Sequence, residues 1–427
     1  MINSLPNKRV IREVFLALRQ LLTAILAWLF AYPLTCLFKR DPNLTLVIGR
    51  QGPVFADNSK YFFIAATQFA KPNERIVFLT DHRSIQQAIV EAGGKAVMHP
   101  SWRSLYLVLR CTTLAADMSD WFDYGAYPLS SGARRVQVWH GAPLKRIELD
   151  LYRERLVIMP AWAGFLLQMQ KKLLGRYPKY DVVVSTSQDF TDRAFSRCFN
   201  TKEFIACGYP RNDVLLGWPE PDKVTAALLD VNVDLSALAT VRKAKSQGTR
   251  IGLYVPTFRR DLANPFAEDM DLARLSAFAV RHNCFFVLKL HPFMQGRYAV
   301  DRYPNLLEYA PLGDVYPLMP LCDFLITDYS SIFFDFLLLD KAIVFFAPDL
   351  AHYLAQDRKM YFDYDEMTPG AKCACYEELE QQLRLIVDHA GEDGFARRRA
   401  EVRAFTHDFV DNRAGWRLYH ALASKKN

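Results

Sequence analysis

The sequence predicts an α/β protein with two Rossmann-like domains that face each other across a cleft. Short apolar runs alternate with helical segments, and this alternation occurs twice, before and after a charged connection. Nearly continuous apolar runs are typical of parallel strands that helices cover on both faces. The chain has 427 residues, of which 51% are hydrophobic, and this is ample for two packed cores.

The two domains are expected at residues 41–217 and 250–427, the second including C-terminal helices, with a helical connection at 218–249. The predicted strands of the first domain are residues 44–48, 75–79, 136–139, 181–184 and 204–206. Those of the second domain are residues 251–255, 285–288, 324–326 and 343–346. Ligands of such sheets bind outside the carboxyl ends of the strands, so polar residues that directly follow a strand are the candidates for chemistry.

Residues 1–40 are expected to form a membrane-associating segment. Residues 21–38 are apolar apart from Thr23 and Thr35, and as a helix they would extend about 27 Å, barely enough to cross a bilayer. Basic residues flank both sides and Pro33 interrupts the run, so the pattern gives a single crossing no clear orientation. We expect a helix that lies in or dips into the cytoplasmic leaflet, with a transmembrane span or a buried core helix as alternatives.

Composition narrows the classes of partner. The formal charge of +7 is modest and spread along the chain, which suits an anionic substrate or membrane surface. No nucleic-acid-binding module is recognisable, so no nucleic-acid partner is expected. The eight cysteines are scattered without zinc or redox spacing, as in a protein with reduced, mostly buried thiols in the cytosol.

The most informative run is residues 327–331, TDYSS, which follows a predicted strand and precedes a helical segment. Hydroxyl groups and free backbone N–H groups at a helix start form a site for phosphate or another anion. A cap on the helix is the alternative interpretation. In the interpretation that combines the two, Asp328 holds the turn while Ser330 and Ser331 meet the phosphate.

Two histidines follow predicted strands, His140 in the first half and His291 in the second. A cleft between the domains would bring both toward one ligand. His140 is the better candidate for a general base, because imidazole has a pKa of about 6.5 and accepts a hydroxyl proton at cytosolic pH. Gly141 leaves room beside it. His291 is assigned to stabilising charge on a phosphate oxygen.

Other polar residues also follow predicted strands. Arg259 offers a planar fork that suits bidentate phosphate binding. Asn212 either hydrogen-bonds a substrate or caps the following short helix, and capping is the expected role of Asp213. Residues 185–187 are expected to line the cleft, and Lys289 is expected to be an ordinary alternating strand residue.

Asp335 lies one helical turn after Ser331 and is expected either to contact a ribose or to face solvent. Asp117 and Asp120 could bind a metal ion, but capping of a helix or turn is the expected role. The chain has no Gly-x-Gly-x-x-Gly, Walker or Gly-x-Ser-x-Gly motif, which argues against a nicotinamide dehydrogenase, a P-loop ATPase and a serine hydrolase. A mechanism without metal or cofactor is therefore expected.

In their order along the chain, these motifs resemble those of the CDP-glycerol glycerophosphotransferase family, the teichoic-acid primases and polymerases of bacterial envelopes. The resemblance covers most of the chain. The matching segments are residues 57–61 (DNSKY), 139–145 (WHGAPLK), 208–213 (GYPRND), 256–259 (PTFR), 291–292 (HP), 327–331 (TDYSS) and 369–370 (PG).

The resemblance implies the two-domain GT-B architecture, with a CDP-linked alditol donor bound mainly by the C-terminal half. It implies that His140 is the catalytic base and that Arg259, His291, Ser330 and Ser331 hold the donor phosphates. It also implies peripheral attachment to the inner face of the cytoplasmic membrane, where a polyprenyl-linked acceptor would lie.

The expected reaction is therefore transfer of glycerol phosphate from CDP-glycerol to a hydroxyl of a membrane-linked saccharide or growing polymer, with release of CMP. The product would be a teichoic-acid-like or capsular polymer. A GT-B sugar transferase that uses a nucleotide sugar and a non-catalytic membrane-bound assembly factor are the alternatives. The pattern leaves open whether the enzyme is a primase or a polymerase, and whether the alditol is glycerol or ribitol.

Overall fold

The computed structural model describes Leu18, residues 21–22, 25–118, 126–173, 179–257, 270–294, 298–350, Tyr353, 359–389 and 393–424. The described residues form two parallel β-sheets with helices on their faces. The predicted α/β class is thus confirmed. Of the residues assigned above to the site or its surroundings, Arg259 and Asp120 lie outside the described residues.

The first sheet has seven parallel strands in the order β3-β2-β1-β4-β5-β6-β7. Their bounds are β1 Asp41–Ile48, β2 Arg75–Thr80, β3 Ala96–Met98, β4 Cys111–Ala116, β5 Arg134–Gln137, β6 Lys179–Ser185 and β7 Asn200–Ala206. The chain fills one side of β1 with β2 and β3 and then crosses to the other side with β4. The order therefore reverses between β1 and β4, which is where such sheets bind ligands.

The second sheet has six parallel strands in the order β10-β9-β8-β11-β12-β13. Their bounds are β8 Arg250–Val255, β9 Cys284–Leu288, β10 Leu306–Glu308, β11 Phe324–Thr327, β12 Ala342–Phe346 and β13 Ala371–Cys373. Here the order reverses between β8 and β11, so the TDYSS run leaves the sheet at its reversal point.

The helices of the first domain are Ala27–Ala31 (π-helical), Tyr32–Leu37, Asp57–Phe69, Arg83–Glu91, Trp102–Arg110, Ala126–Leu129, Glu148–Ile158, Ala161–Leu173, Gln188–Phe190, Thr191–Phe195 (π-helical), Ser196–Cys198 and Pro210–Val214 (3₁₀). Lys223–Asp230 and Leu235–Ser246 form the connection. Those of the second domain are Leu272–Arg281, Pro292–Met294, Val300–Arg302, Met319–Leu321, Ile332–Phe336, Leu337–Leu339, Tyr364–Met367, Tyr376–Asp388, Ala396–Thr406 and Ala414–Ala423, some of them 3₁₀ turns.

The C-terminal helix Ala414–Ala423 returns to the first domain and packs against Asp57–Phe69. An alanine at Gly415 would place its Cβ 2.6 Å from the Cβ of Ala65, so the two helices meet at a residue without a side chain. The Asp213 carboxylate accepts the N–H groups of Ala414 and Gly415, each at 2.8 Å. The end of the chain therefore joins the two domains, a contact that the predicted domain boundaries did not contain.

Each predicted strand overlaps an observed one, but β3, β4, β10 and β13 were not predicted. Three of these strands contain only three residues each, too few to produce a recognisable apolar run. The fourth, β4, reads CTTLAA, in which Leu114 is the one large aliphatic residue, so it shows no apolar run like those of the predicted strands. Because β4 was not predicted, Asp117, which directly follows it, was not recognised as a strand-end residue.

The N-terminal segment is described only in part. Residues 27–37 form a short apolar helix that leaves Leu29, Phe30 and Leu37 exposed. Among the described helices, none is by itself long and apolar enough to cross a membrane. One pair, Lys223–Asp230 with Leu235–Ser246, meets the criteria of length and composition together, but it is bent by 94°.

Candidate functional site

His140 lies in the turn after β5, where the backbone is fixed from several directions. The Gln137 side chain accepts the Trp139 N–H at 2.9 Å, and Trp139 itself has a positive φ of 50°. The Asn58 amide donates to the carbonyls of Val138 and Trp139 at 3.2 and 2.9 Å. The family-like segment at residues 57–61 thus supports the histidine loop rather than facing solvent.

The imidazole of His140 is held in one tautomer. Its Nδ1 lies 2.8 Å from the backbone carbonyl oxygen of Asp117, which can only accept, so Nδ1 carries the proton. The lone pair of the neutral ring is therefore on Nε2. Burial, with Arg50 and Arg211 nearby, lowers the pKa of His140 to about 4, against the opposite effect of Asp57. The ring is neutral at cytosolic pH and ready to accept a proton.

A group of charges surrounds this histidine. Burial would raise the pKa of Asp57, but its ion pairs with Arg211 and Arg50 outweigh burial and lower this pKa to about 2. Burial raises the pKa of Asp117 to about 7, although Arg50 opposes the shift. Ser59 donates to the Asp117 carboxylate at 2.9 Å. The partly exposed Arg50 is thus the cation of this group with access to an anionic ligand.

In the second sheet, Asp328 joins the ends of the two strands at the reversal point. Its carboxylate accepts the Thr257 N–H at 2.9 and 3.0 Å and the Thr257 hydroxyl at 2.6 Å. It also accepts the N–H of Tyr329. Asp328 is almost fully buried. Its contacts favour holding the turn, whereas direct substrate contact remains a prediction.

Ser330 and Ser331 are half-buried and follow this turn. Ser331 is the N-cap residue of Ile332–Phe336, but its hydroxyl makes no capping hydrogen bond. Ser331 therefore does not cap this helix through its side chain, whereas the alternative that Asp328 or Ser330 is merely a cap is not tested by this contact. The helix is only five residues long, so its dipole contributes little and the hydroxyl and N–H groups are the groups that could bind an anion.

The two candidate loops meet across the cleft. Gly141 has a φ of 150°, and a Cβ built there would lie 2.8 Å from the Ser331 Oγ and 3.4 Å from Arg211 Nη2. A second contact lies beside it, where Arg146 N–H donates to the Lys359 carbonyl and Tyr361 N–H donates to the Leu144 carbonyl. The structure therefore brings Gly141, the residue after His140, against Ser331.

Asp335 does not face solvent. It is buried, its Oδ2 lies 2.5 Å from Arg211 Nη2, and it accepts the Tyr316 hydroxyl at 2.7 Å. The alternative that Asp335 faces solvent was therefore wrong, whereas its contact with a ribose stays a prediction. Its carboxylate forms an ion pair with Arg211 of the first domain.

Asn212 and Asp213 are buried in the 3₁₀ turn Pro210–Val214. Asp213 does cap a helix, but it caps the distant helix Ala414–Ala423 rather than the one that follows it. Burial raises the pKa of Asp213 to about 7, against the two N–H groups that it accepts. The amide of Asn212 has no hydrogen-bond partner among the described residues. Its contact with substrate stays a prediction.

Residues 185–187 do not line the cleft, contrary to expectation. They are fully buried, and the Ser187 hydroxyl accepts the Phe190 N–H and donates to the Phe405 carbonyl. Lys289 also has a specific role that was not expected. Its Nζ donates to the carbonyls of Ala310, Pro311 and Gly313 at 2.6 to 2.7 Å.

His291 lies just beyond the carboxyl end of β9 and is half-buried, and burial lowers its pKa. The fold thus places it at the same edge of the second sheet as residues 327–331. Within the part of the chain that the structure describes, no group of three or more His, Cys, Asp or Glu residues could hold a metal ion.

Sequence reasoning missed Arg50 and Arg211, and it assigned Asp117 to capping or a metal ion rather than to the surroundings of His140. Arg50 follows β1 by two residues, so the rule applied to other strands would have found it. Asp117 follows β4, which was not predicted. Arg211 stands within the GYPRND motif, but nothing local in the sequence indicates that it reaches the other domain.

Comparison with known proteins assigns the chain to a family. The model of the family described as CDP-Glycerol:Poly(glycerophosphate) glycerophosphotransferase matches residues 30–424. The chain is 28% identical over 266 residues to the teichoic acid poly(glycerol phosphate) polymerase of Bacillus subtilis, covering 61% of this chain and 33% of the polymerase. It is 24% identical over 349 residues to the teichoic acid ribitol-phosphate primase of Bacillus spizizenii, covering 81% of each. The chain thus spans about a third of the length of that polymerase.

Solved structures of the wall teichoic acid polymerase TagF have the same fold. One variant has a TM-score of 0.70 at 21% identity, covering 98% of this chain and 96% of the other. Another variant of TagF, soaked with CDPG, also has a TM-score of 0.70, at 20% identity. The two parallel-sheet domains are therefore GT-B-like, as the resemblance implied.

Proposed function

Because the chain belongs to the CDP-glycerol:poly(glycerophosphate) glycerophosphotransferase family, we propose that it transfers glycerol phosphate from CDP-glycerol to a hydroxyl of a membrane-linked acceptor. The single observation that carries the proposal is the close approach of Gly141, the residue after His140, to Ser331 across the cleft. The loop of the candidate base in one domain then faces a hydroxyl group of the other, as transfer between a phosphorylated donor and an acceptor hydroxyl requires.

In the proposed step, the acceptor oxygen attacks the phosphorus that carries glycerol, in line with the bond to CMP. The acceptor O–H proton passes to Nε2 of His140, the new P–O bond forms, and the bond to the CMP phosphate oxygen breaks. Nδ1 stays bound to the Asp117 carbonyl, which keeps the ring oriented while it becomes positively charged.

The low pKa of His140 is compatible with this role. With no donor bound, burial, Arg50 and Arg211 disfavour the imidazolium form. A diphosphate in the cleft adds negative charge near the ring and raises its pKa toward the working pH. The base would thus gain strength when the donor is in place.

The donor phosphates would lie against Ser330, Ser331 and the N–H groups at the start of Ile332–Phe336. Arg259 and His291 are proposed to stabilise charge on the transferred phosphoryl group and on CMP. Asp328 contributes by fixing the turn through Thr257. Arg50, beside the histidine and partly exposed, is a further proposed cation for the acceptor side.

An apolar hairpin next to the site supports attachment to a membrane. The helices Glu148–Ile158 and Ala161–Leu173 follow the His140 loop directly, and Val157, Trp162 and Phe165 are exposed, Val157 at 86%. Exposed apolar and aromatic side chains of this kind insert at the boundary between lipid headgroups and acyl chains. We therefore propose that the hairpin and the N-terminal segment place the cleft near a polyprenyl-linked acceptor.

Release of CMP tests the proposal. Purified protein is incubated with CDP-glycerol or CDP-ribitol, with and without lipid-linked acceptors, and CMP is measured. CMP release that depends on acceptor, with a product heavier by one glycerol phosphate, is expected. Preference for CDP-ribitol would show that the transferred alditol is ribitol rather than glycerol. A product without a phosphodiester bond would indicate sugar transfer, and absence of any turnover would favour a non-catalytic assembly factor.

A further inference from the structure

We propose that Arg211 is a positioning residue that locks the His140 loop of the first domain against the Ser331 loop of the second. The expected effect of Arg211 on catalysis rests on the proposed function, because the alignment of the two loops affects the rate only if the base and the donor are held by different domains. The lock itself is a property of the contacts around Arg211, which are independent of the substrate.

On the side of the first domain, Arg211 contacts the base loop directly. Its Nη1 donates to the His140 carbonyl at 2.9 Å and to Asp57 Oδ1 at 2.6 Å. Its own backbone N–H donates to the Asn58 side chain at 3.2 Å, and the same side chain binds the carbonyl of Trp139. Arg211 is therefore attached to the His140 loop through both its side chain and its backbone.

On the side of the second domain, the other nitrogen of the same fork reaches Asp335. The Nη2 to Oδ2 distance is 2.5 Å, and Tyr316 donates to the same carboxylate oxygen at 2.7 Å. The guanidinium carbon also lies 4.9 Å from the centre of the Tyr316 ring. Asp335 belongs to the helix that starts directly after Ser331. One guanidinium thus connects the base loop to the candidate phosphate loop.

Burial and geometry favour a positioning role over direct phosphate binding. The Arg211 side chain is only 3% exposed, and both terminal nitrogens are occupied by carboxylates. A planar fork can satisfy two carboxylates at a fixed separation, whereas a lysine offers a single point charge. Its Nε has no hydrogen-bond partner among the described residues, so burial rather than a lack of N–H groups keeps a phosphate from this cation.

The variants of the test distinguish the geometry of the Arg211 side chain from its positive charge and from its contribution to protein stability. Arg211→Lys keeps the positive charge but removes the fork, and Asp335→Asn removes the partner in the second domain. The matched control is Arg399→Gln, because Arg399 is also buried and its ion-pair partners, Asp393 at 2.6 Å and Asp340 at 3.5 Å, both lie in the second domain. All three variants lose thermal stability, so activity is expressed per folded protein.

The expected result is a fall in kcat of about 100-fold for Arg211→Lys and Asp335→Asn, since a small misalignment of reacting groups costs about that much. The affinity for CDP-glycerol is expected to change less than threefold, and Arg399→Gln is expected to keep its wild-type kcat. Wild-type kcat in both lock variants, or an equal fall in the control, would overturn the proposal.

A measurement without substrate keeps the lock testable even if CDP-glycerol is not the donor. Cys36 and Cys375 are the exposed cysteines. Cys36 lies on the helix Tyr32–Leu37, which packs against Ala126–Leu129 of the first domain, and Cys375 lies in the second domain, so spin labels on them report the distance between domains. A narrow distance distribution in wild type that broadens in Arg211→Lys but not in Arg399→Gln supports the lock. Identical distributions in all three proteins contradict it, whatever the enzyme assay shows.

Discussion

Gly141 and Ser331, which lie 190 residues apart in the chain, touch across the cleft so closely that no side chain fits between them. A Cβ at Gly141 would lie 2.8 Å from the Ser331 Oγ, and the glycine has a φ of 150°, which other residues rarely adopt. The residue after the candidate base is thus fitted against the candidate phosphate loop.

Gly141→Ala is therefore expected to lower kcat/KM for CDP-glycerol by at least tenfold, because the methyl group pushes the loops apart. Gly248→Ala is the matched control, since Gly248 also has a positive φ, of 78°, but has no atom within 4 Å of the added Cβ. Both variants should lose about 1–3 kcal/mol of stability from backbone strain. Equal kinetic losses in the two would argue that strain, not the contact, is responsible.

His140→Ala is expected to lower CMP release by about 10²–10⁴-fold, the usual contribution of a general base. Binding of CDP-glycerol, measured by calorimetry, should change little, because the base contacts the acceptor proton and not the nucleotide. His389→Ala, at an exposed position after Tyr376–Asp388, is the control and should behave as wild type. Normal turnover in His140→Ala would show that another group is the base.

The pH dependence of the reaction should reflect the low pKa of His140. Because burial and Arg50 lower this pKa to about 4, the ring stays neutral as the pH falls from 7 to 5, and titration of His140 itself lowers kcat/KM only as the pH approaches 4. Asp117→Asn removes the other group beside the ring that titrates in this range, with a pKa of about 7, and serves as the reference profile. Because a bound diphosphate raises the pKa, the acid limb of kcat should lie at higher pH than that of kcat/KM. An acid limb of the kcat/KM profile near pH 6.5, the usual pKa of histidine, would contradict the lowered pKa of His140.

Asp328→Asn is expected to raise KM for CDP-glycerol, because an amide nitrogen in place of Oδ2 cannot accept the Thr257 N–H, and the turn that precedes Ser330 is then held by fewer bonds. Stability should fall by about 1–3 kcal/mol. Asp323→Asn is the control: Asp323 precedes the same strand and accepts the Ile251 N–H at 2.8 Å at the opposite edge of the sheet. It should lose comparable stability with an unchanged KM.

Exchange of Val157, Trp162 and Phe165 for serine should reduce cosedimentation with anionic vesicles several-fold, because the hairpin loses the apolar area that enters the lipid boundary. The control exchanges Val280, Leu312 and Leu385, which are exposed on the second domain. Loss of binding in the control alone, or in neither variant, would place the lipid contact elsewhere.

The sequence predicted the strands and the strand-end residues where the signal is local. A run such as FLIT in β11 needs only its own composition to be recognised, and residues 327–331 follow from it. The same rule failed at residues 185–187, because a position after a strand does not reveal whether another element covers it. The returning segment around Phe405 buries these residues.

By itself, the sequence determined the two-domain α/β class, the family and the positions of His140, Ser330 and Ser331, because periodicity and short motifs are properties of adjacent residues. Only the tertiary structure decided that Asp335 is buried against Arg211, that Asp213 caps the last helix, and that Gly141 meets Ser331. Each of these is a contact between distant parts of the chain. Such contacts arise from the packing of whole domains, which no local pattern encodes.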